Sequence, residues 1–535
     1  MTPTPTTTPP ADPDPPVPLA RRTTTLSTTT RSTFKPRASP AREALFVGIL
    51  CTSQLLTQAS LAQTIAILPF LSHTFGGASA GQQSWFTAAY SLTVGIFILP
   101  AGRIGDVLHA HKALFVGGFA WFAACSGAAG FAGAYDAERE SGLVVFDVCR
   151  ALQGVGPAVV LPNAIAILSR AYDGPRMKRR QEMAFAVFGA TAPGGFVLGA
   201  AGSALFAETA WWPGAFWCLA GVCAAVAVAG AVVIPKEEEG EEEWVEGLEE
   251  GETSTRPAEE QECGLLERLD AAGTVAGLAG LVLFNFAWNQ GPVVGWQTPY
   301  TYAVLIVGVL VLAAFAAIEA RARFPLVPVR KLGRDVGFVL ACISAGWASF
   351  GIWVYYSWRF NLVLRGITPL LASAHFVPVA LSGLCAALTT GAVLGRVPPS
   401  WVMMVAMLAF TVGNVLVATA PVAQTYWAQT FVGFVVIPWG MDMSFPAGTI
   451  IMSRSLPREE QGLAASLLNT VINYSISIGL GFAGTVERQV NDGGRDLLAG
   501  YRGGFYLGIG LSSLGLAVSV CFALVQYAES VRQRR

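Results

Sequence analysis

Fourteen apolar runs of about twenty residues, parted by short polar segments, limit what this 535-residue chain can fold into. A run of that length spans the roughly 30 Å hydrocarbon layer of a bilayer as a helix. The predicted spans are 45–68, 83–102, 113–134, 143–168, 183–206, 212–234, 271–289, 301–319, 336–358, 371–392, 400–419, 426–450, 465–486 and 504–527. Only 13% of the residues are charged, against about 25% in soluble domains. The expected fold is an all-α membrane protein.

The basic residues test the count. With both termini in the cytoplasm, the inside segments hold 27 of the 34 Lys and Arg, the outside loops hold 6, and Arg150 lies within a span. Such a bias fits the positive-inside rule, and one missed or surplus span would blur it.

Between the spans lie a Thr/Pro-rich N-terminal segment (1–42), expected to be a disordered cytoplasmic tail, and an acidic cytoplasmic loop (235–270) expected to act as a flexible linker. The remaining divisions are six helices over 43–234, two inserted helices over 271–319, a basic cytoplasmic loop over 320–335, six helices over 336–527, and a cytoplasmic tail over 528–535. The Ser and Thr of the N-terminal tail are alternatively phosphorylation sites. Nine cysteines lack paired spacing and four histidines are scattered, so no disulfide framework or metal centre is expected. A net charge of −1 gives no nucleic-acid signal. No G-x-x-x-x-G-K-[S/T] phosphate loop occurs, so uphill movement of a solute would draw on a gradient, with no cofactor.

Charged and amide side chains at lipid depth are costly and mark functional positions. The fourth run carries Asp147 and Arg150 one turn apart, followed by Gln153, Gly154 and Gly156. Arginine keeps its proton, so Arg150 suits electrostatic coupling rather than proton carriage. The alternatives are a static buried pair and an Asp147 wetted from the outer end. Asp442 stands alone between Pro438 and Pro446 in the twelfth run, a candidate proton site. Gln54 and Gln58 in the first run, Asn285 in the seventh, and Asn469, Asn473 and Tyr474 in the thirteenth form polar stripes. With Gln153 they are candidate contacts for a polar solute, although hydrogen bonding between helices explains each one singly. The turn after the second run reads Gly102-Arg-Ile-Gly-Asp106-Val-Leu-His-Ala-His-Lys112, where Asp106 can meet a helix N-terminus or a neighbouring arginine. Gly195 and Gly199 make a close-packing face beside Pro193.

These motifs resemble the major facilitator superfamily over residues 45–527. The turn at 102–112 resembles the superfamily's signature loop, with His109, Ala110 and His111 where the family has a glycine and two basic residues. Arg150-Ala-Leu-Gln153-Gly154-Val-Gly156 resembles the R-x-x-Q-G-x-G motif of its drug:proton antiporters, and the Pro193–Gly202 stretch resembles their fifth-helix motif. Trp439–Pro446 and Asn473–Glu487 are similar to the fungal aminotriazole and boron resistance exporters of the fourteen-span branch. The resemblance implies two six-helix bundles with two inserted helices, a substrate site at their interface, and rocking between inward- and outward-open states. It also implies that Gly102, Asp106 and Lys112 form a gating latch.

The expected activity is proton-coupled export of small organic compounds by a monomer, with the proton gradient as energy source and the plasma membrane, or a vacuolar one, as its location. The expected partners are a small-molecule substrate and the lipid bilayer. A facilitator of small neutral or inorganic solutes such as boric acid or ammonium is the second reading, and a non-transporting membrane sensor the third. The spans offer no Ser/His or metal constellation, so an enzyme is not expected.

Overall fold

The structure, a computed structural model, describes residues 40–135, 140–172, 177–235, 264–327, 330, 333–455 and 461–534. Fourteen helices are long and apolar enough to cross a membrane, and the described residues contain no strand. We number them α1 (Pro40–Ala66), α2 (Ala80–Leu108), α3 (His111–Tyr135), α4 (Glu140–Ala171), α5 (Lys178–Thr209), α6 (Pro213–Val233), α7 (Ala271–Val294), α8 (Pro299–Glu319), α9 (Arg334–Arg359), α10 (Pro369–Val393), α11 (Pro399–Ala418), α12 (Gln429–Ser455), α13 (Gln461–Val490) and α14 (Leu497–Arg534). Each corresponds to one span expected from the apolar runs, and half of them extend beyond it by a turn or more at one end. Polar turns at the membrane surface continue a helix without desolvation cost, so hydropathy locates the lipid-embedded part rather than the helix ends. Thus α1 begins at Pro40, inside the expected tail, and α14 runs through most of 528–535. Residues 1–39 and 236–263 lie outside the described residues, so the readings of the tail and acidic loop rest on sequence.

Local signals set several helix ends. Ser79 and Gln82 make a reciprocal capping box at the start of α2. Asp270 caps α7 through the Gly273 N–H, and Thr368 caps α10 ahead of Pro369. α2 ends on His109 in the left-handed region, φ 49°.

In the N-terminal half α1 packs on α5, α2 on α4, and α3 on α4 and α6. In the C-terminal half α9 packs on α12, α13 and α14, α10 on α12, and α11 on α12 and α14. The halves meet along two seams, α2 with α13 and α5 with α10. The inserted pair α7–α8 lies outside the first seam: α7 contacts both α2 and α13, while α8 buries only Thr301, Gly308 and Glu319. The eight described cysteines are free.

Candidate functional site

Arg150 lies wholly inside the N-terminal half, with no exposed surface. Its Nε donates to the Phe86 carbonyl at 3.0 Å, Nη1 to Ser60 Oγ at 3.1 Å and to Gln153 Oε1, and Nη2 to the Ser60 carbonyl at 3.2 Å. The guanidinium also stacks over the Tyr90 ring, 4.5 Å from its centroid. α1, α2 and α4 thus hold one cation through neutral acceptors. The contact with Asp147 expected from their spacing is not made: Arg150 turns inward to the α1 and α2 backbones, and Asp147 Oδ1 is buried without a hydrogen-bond partner.

The two motif glycines explain how α4 comes so close. A Cβ on Gly154 would stand 2.2 Å from Thr93 Oγ1 of α2, and one on Gly156 2.6 Å from Phe122 Cβ of α3. Gln153, expected in a cavity, is fully buried and donates to Ser126 Oγ of α3 at 2.7 Å. It supports Arg150 and has no surface to offer a solute. On α5, a Cβ at Gly195 or Gly199 would fall within 2.2 Å or 2.1 Å of the Leu55 or Ala59 carbonyl of α1. These two positions are where α5 touches the α1 backbone.

Asp442 sits at the other seam. A Cβ on Gly383 of α10 would meet Asp442 Oδ2 at 2.7 Å and Pro193 Cγ of α5 at 3.3 Å. The carboxylate therefore lies where α12, α10 and α5 converge, halfway along each helix. Its Oδ2 is buried and has no hydrogen-bond partner. From this level outward the halves stay in contact, through the Phe196 and Phe376 rings 6.0 Å apart and through Glu208 Oε1, which accepts the Leu370 N–H at 2.7 Å. Toward the cytoplasm, Gly189 of α5 has nothing within 4 Å of a built Cβ.

The polar stripes divide. Gln54 and Gln58 on α1 and Asn469 and Asn473 on α13 are half-exposed. Beyond Gln58, Ala59–Leu68 are all buried. The accessible polar stripe of α1 therefore lies near its middle and closes toward the outside. Asn285 departs from the cavity expectation: it is fully buried, its Oδ1 accepting from Asn289 Nδ2 at 2.8 Å and Ser477 Oγ at 3.0 Å. Ser477 Oγ also lies 2.9 Å from the Ala88 carbonyl of α2. Tyr474 reaches away from the stripe to the Leu281 carbonyl of α7 at 3.2 Å. Asn285 and Tyr474 thus join α7 to the α2–α13 seam. Sequence shows which residues share a face of α13 but not which helix lies against that face.

At the cytoplasmic turn Asp106 Oδ1 is 3.8 Å from Arg170 Nη2 of α4 and 3.6 Å from His111 Nε2. His111 Nδ1 lies 2.7 Å from Asn163 Oδ1. Lys112 Nζ donates to the Ile234 carbonyl at the end of α6, 2.5 Å away. Gly102 faces Ser466 of α13 across the seam, at 3.3 Å from a built Cβ. Gly105 is the tighter position, since a Cβ there would meet Asn163 Oδ1 at 2.3 Å. The contacts of Asp106 stay within the N-terminal half.

One ionised cluster escaped the sequence reading. Arg359 Nη1 donates to both oxygens of Glu487, at 2.9 and 3.1 Å, and Tyr356 donates to Oε2 at 2.8 Å. Both charged side chains are at most 5% exposed. Each lies at the outer end of a span, where a terminal charge ordinarily reads as reaching for water. The missed signal is the aromatic surroundings Tyr355, Tyr356 and Tyr501.

Two helical bundles that meet along two seams, with polar side chains at lipid depth in both, define a multi-pass membrane transporter. A family model described as Major Facilitator Superfamily matches residues 50–397 and 338–535; the chain belongs to that superfamily. It is 56% identical over 491 residues to the low affinity ammonium transporter of Saccharomyces cerevisiae, covering 92% of this chain and 90% of that protein. It is 46% identical over 490 residues to the efflux pump terJ of Aspergillus terreus, covering 91% and 89%. A solved POT family transporter in complex with a thioalcohol-conjugated peptide shares the fold, with TM-score 0.59 at 13% identity over 90% of this chain and 96% of that one.

Proposed function

We propose that this protein exports small organic compounds in exchange for protons by alternating access. The observation that carries the reading is Asp442, a carboxylate with an unpartnered oxygen at the midplane level where the α5–α10 seam begins to close. An acid there is exposed or sealed according to how the halves rock, which is what a proton-exchange site needs. Arg150 supplies electrostatic coupling, with Asp147 one turn away as the second acid. Gln54, Gln58, Asn469 and Asn473 contact the solute, and Asp106 steadies the cytoplasmic face. The similarity to an efflux pump supports an organic cargo and the outward direction. The protein works as a monomer in the plasma membrane, without a cofactor.

The test is substrate flux in proteoliposomes under an imposed pH gradient. Asp442→Asn is expected to lose gradient-driven accumulation yet retain substrate exchange, because it removes the proton site and keeps the shape. Full gradient-driven transport by this variant would overturn the assignment. A second reading, a facilitator of ammonium or a similarly small solute, is favoured by the 56% identical ammonium transporter. Collapsing the gradient with an ionophore separates the two: a facilitator still carries ammonium down its concentration gradient, and the exporter loses uphill movement of its organic cargo.

A further inference from the structure

Two carboxyl groups meet at the cytoplasmic ends of the inserted helices. Asp270 precedes α7 and Glu319 closes α8, and they are 7% and 3% exposed. Both hold the same piece of chain, the turn that leads from α8 toward α9. Asp270 Oδ2 accepts the Leu326 N–H at 3.1 Å, and Glu319 Oε2 accepts the Val327 N–H at 3.0 Å. Asp270 Oδ1 accepts the Gly273 N–H at 3.1 Å. Leu326 is itself buried, so the turn is seated by packing as well as by these bonds.

One oxygen is left over. Glu319 Oε1 is buried and receives no hydrogen bond from any N–H or hydroxyl. What Glu319 meets is Asp270, and the two side chains are hydrogen-bonded to each other. Ionised carboxylates are acceptors only, so that contact has a donor only when one of the two is a carboxylic acid. Burial makes the same demand, because two negative charges in contact away from water are far costlier than one. Among the described residues no lysine or arginine pairs with either acid. The charged groups of the surrounding segments point elsewhere or into solvent. Arg103 of α2 donates to the Arg268 carbonyl at 3.1 Å, and Glu267 of the short helix Leu265–Arg268 is exposed. On the turn, Arg321 is exposed and Arg323 lies over the Phe324 ring.

We propose that Asp270 and Glu319 hold one proton between them and act as a cytoplasmic pH switch that fastens the 320–327 turn. With the proton in place the pair carries a single charge, and both carboxyls keep their backbone donors. In alkali the O–H bond breaks, its electron pair stays on the carboxylate and the proton passes to water. Two adjoining carboxylates then repel, and the turn leaves the ends of α7 and α8. That turn joins the inserted pair to the C-terminal half, and the Arg268 carbonyl ties the same corner to α2 of the N-terminal half. Release therefore loosens the cytoplasmic ends of both. The switch is independent of Asp442 and of the direction of transport.

The experiment measures amide hydrogen exchange of the full chain in lipid nanodiscs at about pH 6 and about pH 9, a range over which buried acids release a proton. Each rate is divided by the intrinsic rate at that pH. In the wild type, protection of the Leu326 and Val327 amides is expected to fall about tenfold at the higher pH, the scale of one hydrogen bond to a charged group. Glu319→Gln and Asp270→Asn give the contact a permanent N–H donor, so each should keep the turn equally protected at both pH values. Infrared difference spectra between the same pH values should show loss of a carboxylic-acid C=O band that Glu319→Gln abolishes and Asp442→Asn retains. The proposal fails if wild-type protection is the same at both pH values, if either amide variant keeps the wild-type pH dependence, or if the band survives Glu319→Gln. Should a variant not fold, the wild-type comparison decides by itself.

Discussion

Replacing Gly199 by alanine adds one methyl group where α5 crosses α1, and the structure sets the consequence. That carbon would stand 2.1 Å from the Ala59 carbonyl oxygen and 2.4 Å from Ala59 Cα, whereas real Cβ contacts essentially never fall below 3.0 Å. The obstacle is backbone, so no rotamer relieves it. The helices must part by the difference between 3.0 and 2.1 Å, about 0.9 Å. A gap of that size forfeits roughly a quarter to a half of the dispersion energy of each contact pair along the crossing. Overpacking of this kind costs about 1–3 kcal/mol. Gly202, one turn beyond, has nothing within 4 Å of its built Cβ, and alanine there gains up to about 1 kcal/mol of helix propensity. Thermal unfolding of the purified protein in detergent, followed by tryptophan fluorescence, should therefore move in opposite directions for Gly199→Ala and Gly202→Ala. Shifts of the same sign and size would refute the close α1–α5 crossing.

Three further outcomes follow from the same geometry. His109→Gly should stabilise the cytoplasmic turn by about 1 kcal/mol, because His109 holds φ 49°, where a side chain costs roughly 1–2 kcal/mol; a rise in melting temperature checks it. Arg359→Gln and Glu487→Gln should each cost about 3–5 kcal/mol by leaving the other charge buried and unpaired, and a double-mutant cycle should show the pair losing much less than the sum. Asn289→Leu removes the amide that donates to Asn285 Oδ1 and to the Ser477 carbonyl; it should lower stability by about 1–3 kcal/mol and make α7 more susceptible to limited proteolysis at its ends.

The span count was legible because a run of twenty apolar residues is a local property, and the basic bias fixed the orientation independently. Gly195 and Gly199 were equally readable, since a small residue one turn from another announces a close neighbour without naming it. Arg150 stood out as a charge inside a span. Its partners did not, because Ser60 and the Phe86 carbonyl come from helices far away in sequence. The same limit explains Asn285, whose amide looks alike whether it faces water or another helix. It also explains the Arg359–Glu487 pair, formed by residues 128 positions apart. Alternation along a helix names the face, and only tertiary packing names what covers it.

The placement of α7 has a mechanical consequence. Through Asn285, Asn289, Tyr474 and Ser477 it is stitched to α13, and Ser477 continues the stitching to the Ala88 carbonyl of α2. One seam is thereby bound like the spine of a book, while the seam of Pro193 and Gly383 is its fore-edge. If the covers move, they turn about the spine, and the greatest travel falls at the fore-edge, beside Asp442.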